Sequence, residues 1–275
     1  MSNMFIRTIS GVLYVALVIL TTFSGEFGQV FLSAFLVIAA MTEWMQFDKE
    51  AKDISFPTAL SIGSIFLSIY CFTGIFDVDV EQLRWLKALL IVMLTTLMMN
   101  LAFNSRDVPK KLFHTIFGLV YIGFPLIVLP MLPQYMGENQ PWMLASVFIL
   151  IWCNDTFAYL FGRTFGKHKL YERISPNKTW EGFIGGAISA LVASTIMSHY
   201  LTFMPIVGWV GLAIIVLIFG TVGDLFESSL KRSFDRKDSG KFMPGHGGIL
   251  DRIDSLLFTL PLSYFYIRII ENLAQ

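Results

Sequence analysis

The chain has 275 residues, and counting Gly in and Tyr out of the apolar set (21 Gly, 9 Tyr) makes it about 59% apolar, against ~45–50% for soluble domains. Charged residues are 15%, against ~25%, and 20 Lys and Arg balance 20 Asp and Glu. These figures exclude a disordered chain, a disulfide-stapled secreted domain and an ordinary soluble enzyme, and the absence of net charge predicts no nucleic acid or other polyanionic partner.

Apolar runs of ~20 residues, the length that crosses a ~30 Å hydrocarbon core, occur over 8–24, 27–47, 57–76, 85–103, 113–132, 142–161, 181–203, 205–223 and 253–270. The expected fold is therefore all-α: a polytopic integral membrane protein with about nine transmembrane helices, forming a single transmembrane domain over 1–275. The first run has Arg7 ahead of it, as a signal peptide would. Thr22-Phe23-Ser24 is a poor cleavage site, however, and eight runs follow, so the run is read as a retained helix. Gly182, Gly185 and Gly186 in the seventh run suit close helix packing. The ninth run opens with Arg252 and Asp254. Cys71 and Cys153 lie in apolar stretches and read as small buried hydrophobes, and no Cys/His spacing suggests zinc.

The charges sit unevenly. With the N-terminus cytoplasmic, 17 of the 20 Lys and Arg fall in the inner segments 1–7, 48–56, 104–112, 162–180 and 224–252. The positive-inside rule then predicts N-terminus in and C-terminus out. The longest inner loops, 162–180 and 224–252, are too short for an independent core, which needs ~40 residues. Any chemistry is expected on the cytoplasmic membrane surface, in a part formed mainly by 150–260, and on a lipid or membrane-buried substrate.

Three polar features mark that part. Asn154-Asp155 stands at the inner end of the sixth run, where a carboxylate is expensive and suggests function. Ser175-Pro176-Asn177-Lys178-Thr179-Trp180-Glu181-Gly182 precedes the seventh run. Thr179 or Asn177 could cap that helix, and a helix N-terminus beside Lys178 suits a phosphate. The third feature is residues 223–254. Asp224, Glu227 and Lys231 fall on one helix face. Lys231-Arg232, Lys237-Asp238, the Gly-rich turn Pro244–Gly248 and Asp251-Arg252-Ile253-Asp254 follow. A solvated cytoplasmic loop would explain the cations. It would not explain two carboxylates at each helix end with a Gly-rich turn between them, an arrangement that suits a divalent metal and a polyphosphate together. His246 could be a base, a phosphate ligand or an organiser of the loop, and the last two are favoured.

Ser228, Lys231, Arg232, Lys237, Asp238, Gly240, Pro244, His246, Gly247, Gly248, Asp251, Arg252 and Asp254 resemble, at their spacing, the signature of the phosphatidate cytidylyltransferases. Met243 departs from the family's usual Leu, Ile or Phe, a similar apolar filler. Ser175–Gly182 resembles the family's second motif. The resemblance implies the reaction of CTP with phosphatidic acid to give CDP-diacylglycerol and pyrophosphate, with Mg²⁺ required. It also implies an integral membrane enzyme, often a homodimer, working among membrane lipids at the cytoplasmic face. A bacterial inner membrane is the expected location.

The chemistry fits the residues. A lipid phosphate monoester, with a second pKa near ~6, is largely a dianion at neutral pH. It needs no general base to attack the α-phosphorus of CTP, and fixed cations and a metal would offset the anion–anion repulsion. Asp224 and Asp251 are the expected Mg²⁺ ligands. Lys178, Lys231, Arg232, Lys237 and Arg252 are expected on the CTP and lipid phosphates, with His246-Gly247-Gly248 cradling the triphosphate. Asp155, Glu227, Asp238 and Asp254 are second choices. A transporter would carry charges near the bilayer midplane, and a scaffold would need no dense carboxylate–cation loop. A CTP-dependent polyprenol kinase would release CDP instead of pyrophosphate.

Overall fold

A computed structural model describes residues 3–47, 108–135, 138–245 and 247–274. The runs expected over 57–76 and 85–103 lie outside the described residues. Among those described, seven helical segments are long and apolar enough to cross a membrane, and they coincide with the other seven runs. They are α1 (Asn3–Phe23), α2 (Gly25–Met45), the composite span containing α3 (Val108–Gly118) and α4 (Phe124–Val128), α5 (Pro141–Phe165), α6 (Trp180–Tyr200), α7 (Ile206–Ser233) and α8 (Leu250–Ala274). The composite span widens into a π turn over Leu119–Gly123, just ahead of Pro125. A proline has no N–H to donate and crowds the carbonyl four residues back, which accounts for the loosened turn. Both α7 and α8 outrun their apolar stretches. The 28 residues of α7 measure about 42 Å, and the ten beyond Gly223 are mostly polar.

Two short antiparallel ribbons join helices: β1 (Gln134–Tyr135) with β2 (Glu138–Asn139), and β3 (Lys169–Tyr171) with β4 (Ser175–Thr179). The second ribbon occupies what the sequence suggests is only a loop. It pairs Lys169 with Thr179 and Tyr171 with Ser175 across an irregular register, and the Trp180 amide donates to the His168 carbonyl at 2.9 Å. Its residues are mostly polar, and strands of three and five residues are too short for an alternation to betray it.

The chain divides into two compact units. The first comprises Met1–Met131 and Asp238–Leu250. Leu32, Leu36, Met41, Trp44, Ile122, Leu126 and Leu129 form its core. Trp44 stacks on His114, with ring centres 4.5 Å apart, and its indole donates to the His114 carbonyl at 2.9 Å.

The second unit comprises Leu132–Lys237 and Asp251–Gln275. Here α5 and α6 pack antiparallel, and small residues allow it. A Cβ at Gly182 or Gly186 would stand 2.6 Å from the Ala158 carbonyl or from Asn154 Oδ1. The α7–α8 contact is equally close. A Cβ at Gly223 would collide with the Asp254 carbonyl, and Phe226 meets Phe258 edge-on at 5.2 Å.

Candidate active site

A cavity of about 680 Å³ opens in the second unit, where the second half of α5, the middle of α7 and the first turn of α8 meet the β3–β4 ribbon and the first turn of α6. Four carboxylates line it, Asp155, Asp224, Asp251 and Asp254, with four cations, Arg163, Lys169, Lys178 and Arg252. Ala158, Gly162, Leu170 and Phe183 complete the wall with apolar surface.

Local structure explains each placement. Thr179 is the N-cap of α6, and its Oγ1 accepts from the Gly182 amide at 3.2 Å. That settles the choice between Asn177 and Thr179 and fixes Lys178 one residue ahead of the cap. Glu181 secures the same end of the ribbon, where β3 begins and β4 ends. It accepts from the Lys167 amide at 3.1 Å, and His168 Nδ1 lies 2.6 Å from its Oε1. Lys178 Nζ then reaches Asp224 Oδ2 at 2.5 Å.

On α7 the face read from the sequence is present. Lys231 Nζ stands 2.6 Å from Glu227 Oε2, one helical turn back, and 2.6 Å from Asp251 Oδ1 on α8. Ser228 Oγ donates to Asp224 Oδ1 at 3.4 Å. Close packing at Gly223 brings Asp254 near Asp224 and Glu227, whose charges repel it. Asp155 feels Asp224 in the same way, with Lys178 and Arg252 opposing.

Asp155, Lys178, Asp224, Asp251, Arg252 and Asp254 therefore share one cavity, with Glu227 and Lys231 tied to it through Asp251. Arg232 and Lys237 are not on its wall. Arg232 Nη1 donates instead to the Arg236 carbonyl at 3.3 Å, closing the end of α7. Arg163 and Lys169, which line the cavity, are visible in the sequence only as positive-inside charge.

Asp238, Gly247 and Gly248 belong to the first unit, and His246 lies outside the described residues. There, Met243 and Gly247 exchange amide–carbonyl bonds of 2.9 and 3.1 Å around the Pro244 turn. Gly245 and Gly247 take φ of 76° and 88°, values that other residues adopt only under strain. Glu43 of α2 belongs to none of the three polar features of the sequence. It is 2% exposed and accepts from Ser239 Oγ at 3.1 Å. The signal was available, because a carboxylate inside an apolar run is expensive.

No three Asp, Glu, His or Cys among the described residues converge tightly enough to hold a metal ion by themselves. Mg²⁺ asks for less, commonly one or two carboxylates with substrate phosphates and water. The four aspartates of the cavity are hard oxygen donors of that kind, so the residues present fit the ion.

A family model described as the cytidylyltransferase family matches residues 5–270. The phosphatidate cytidylyltransferase of Staphylococcus aureus (strain COL) is 35% identical over 261 residues, covering 94% of this chain and 96% of that protein. That of Staphylococcus saprophyticus is 34% identical over the same shares. A third, from Staphylococcus haemolyticus, is 54% identical over 116 residues, 42% of this chain and 45% of that protein. With this match from end to end, and a charged cavity built at the ends of apolar helices, the chain belongs to the cytidylyltransferase family.

Proposed function

We propose that this protein is a phosphatidate cytidylyltransferase, converting CTP and phosphatidate into CDP-diacylglycerol and pyrophosphate in phospholipid biosynthesis. The observation that carries the reading is the cavity itself: four carboxylates face four cations where apolar helices end. A phosphorylated lipid presents its headgroup at that boundary.

The lipid phosphate brings its own nucleophilic oxygen, ionised at neutral pH because its second pKa is near ~6. That oxygen forms a bond to the α-phosphorus of CTP, the bond from α-phosphorus to the bridging oxygen breaks, and pyrophosphate leaves with the electron pair. The protein's task is to bring two anions together and hold them in line. Lys178, Arg252, Arg163 and Lys169 offset phosphate charge on the cavity wall. The ion pairs to Lys178 and Lys231 hold the Asp224 and Asp251 carboxylates in place. Arg232, Lys237 and the His246-Gly247-Gly248 turn remain candidates for the triphosphate. Asp224 and Asp251 would hold Mg²⁺, with Asp155 and Asp254 beside them. The ion, when bound, supplies charge neutralisation on the triphosphate. In the bacterial inner membrane, the N-terminus would be cytoplasmic, the C-terminus outside and the cavity cytoplasmic.

The test is an assay of the purified protein in detergent with phosphatidate, Mg²⁺ and CTP labelled at the α-phosphate. Label in the lipid fraction with pyrophosphate release is expected. Folded protein that gives no labelled lipid would overturn the reading.

A further inference from the structure

The loop Asp238–Leu250 carries the middle of the signature, yet the group that orders it lies outside the signature. Glu43 sits in the last turn of α2, 2% exposed. Four donors among the described residues bond to its carboxylate. Oε1 accepts from the Phe242 amide at 3.3 Å, and Oε2 accepts from Ser239 Oγ at 3.1 Å and from the Leu250 amide at 3.0 Å. The Ile249 amide bonds to the same carboxylate. Gly240 and Gly248 close around it. A Cβ at Gly240 would collide with Oε1, and one at Gly248 with Ser239 Oγ and would stand 2.5 Å from Oε2. These two glycines let the backbone wrap a carboxyl group, and that group is the protein's own side chain.

Leu250 opens α8. Its amide is one of the first four of a helix, which have no partner within the helix. A carboxylate accepting there acts as a cap lent by another helix and is favoured by the positive end of the helix dipole. The turn that this cap starts carries Asp251, Arg252 and Asp254. Elsewhere on the loop, α1 holds its tip, with Arg7 Nε donating to the Gly245 carbonyl at 2.6 Å and Ser10 Oγ to the Pro244 carbonyl at 3.1 Å.

We propose that Glu43 is a positioning residue for catalysis: its carboxylate fixes residues 239–250 and the first turn of α8, which bears Asp251 and Arg252. The catalytic part of this inference rests on the activity proposed above. The requirement is for a carboxylate and not merely for a polar group. A carboxamide offers one acceptor oxygen, and its NH₂ would face N–H or O–H donors, leaving buried donors unsatisfied.

The experiment compares Glu43→Gln, Glu43→Asp and Ser239→Ala in detergent by two readouts, cytidylyl transfer by folded protein and amide hydrogen exchange along the chain. Glu43→Gln is expected to lower kcat about 100-fold, the scale of a small misplacement of reacting groups, with KM for CTP within about threefold. Exchange should accelerate over 239–252 and stay unchanged in α5 and α6. Glu43→Asp, which keeps the charge, should recover about tenfold of the loss, and Ser239→Ala should cost about tenfold.

Glu43→Gln turning over within about threefold of the parent would overturn the proposal. So would a fall in kcat with unaltered exchange over 239–252, or equal impairment of the Gln and Asp variants. Should the Glu43 variants fail to fold, Ser239→Ala decides by the same pair of readouts. If the parent itself transfers no cytidylyl group, the proposed activity fails, while the exchange comparison still reports on the anchor.

Discussion

Lys231 reaches two carboxylates at 2.6 Å each, and one of them, Glu227, has none of its side chain exposed. Taking away the cation strands a buried charge opposite a like one, which costs about 3–5 kcal/mol. Lys231→Met should therefore lower stability by about that amount in denaturant titrations of the detergent-solubilised protein. Adding Glu227→Gln should recover most of the loss, because the stranded charge is gone, while turnover stays low. Asp224 and Asp251 are less enclosed, with 34% and 12% of their side chains exposed. Asp224→Asn and Asp251→Asn should keep the fold, read as an unfolding midpoint near the parent's, yet lose about 10²–10³-fold in turnover. Near-normal activity in the purified Asp251→Asn protein would remove that residue from the proposed metal site. Chelating the divalent cation should abolish turnover of the parent, and added Mg²⁺ should restore it.

Two elements bring these residues into register, the capped start of α6 and the glycine seam between α5 and α6. Thr179→Ala should cost about 1 kcal/mol of stability and raise KM for CTP, because Lys178 is fixed by the same turn. Thr179→Ser should restore both, as measured by steady-state kinetics and thermal unfolding. Gly186→Val, placed against Asn154, should destabilise by about 1–3 kcal/mol through overpacking. The sequence made the helices legible because spanning length is a property of one run read alone. It also made Asp224, Glu227 and Lys231 legible as one face, because helical spacing is local. The β3–β4 ribbon was hidden, since it is held by backbone bonds between mostly polar residues in strands too short for an alternation. Glu43 was hidden for a different reason. Its partners Ser239 and Leu250 lie about 200 residues away along the chain, and only the fold makes them neighbours. The glycines of the Pro244–Gly248 turn read as room for an anion. In the fold Gly248, with Gly240 outside that turn, closes on the Glu43 carboxylate, and nothing in their spacing says that α2 supplies one.

At the scale of the molecule, the segregation of Lys and Arg predicts an orientation that can be measured. In sealed inner-membrane vesicles of known sidedness, a membrane-impermeant thiol reagent should label Lys237→Cys only from the cytoplasmic face, and a cysteine added after Gln275 only from the opposite face. The length of α7 has a consequence of another kind. Its apolar stretch ends at Gly223, and the very next residue, Asp224, is on the cavity wall. With that stretch across a bilayer, one uninterrupted rod would set the depth of the reacting groups at the level where a phospholipid floats its phosphate. For the activity proposed above, the lipid would travel only sideways to react, and its nucleotide-bearing product would drift off along the same plane. Neither acyl tail has to be drawn out of its leaflet at any stage of the turnover.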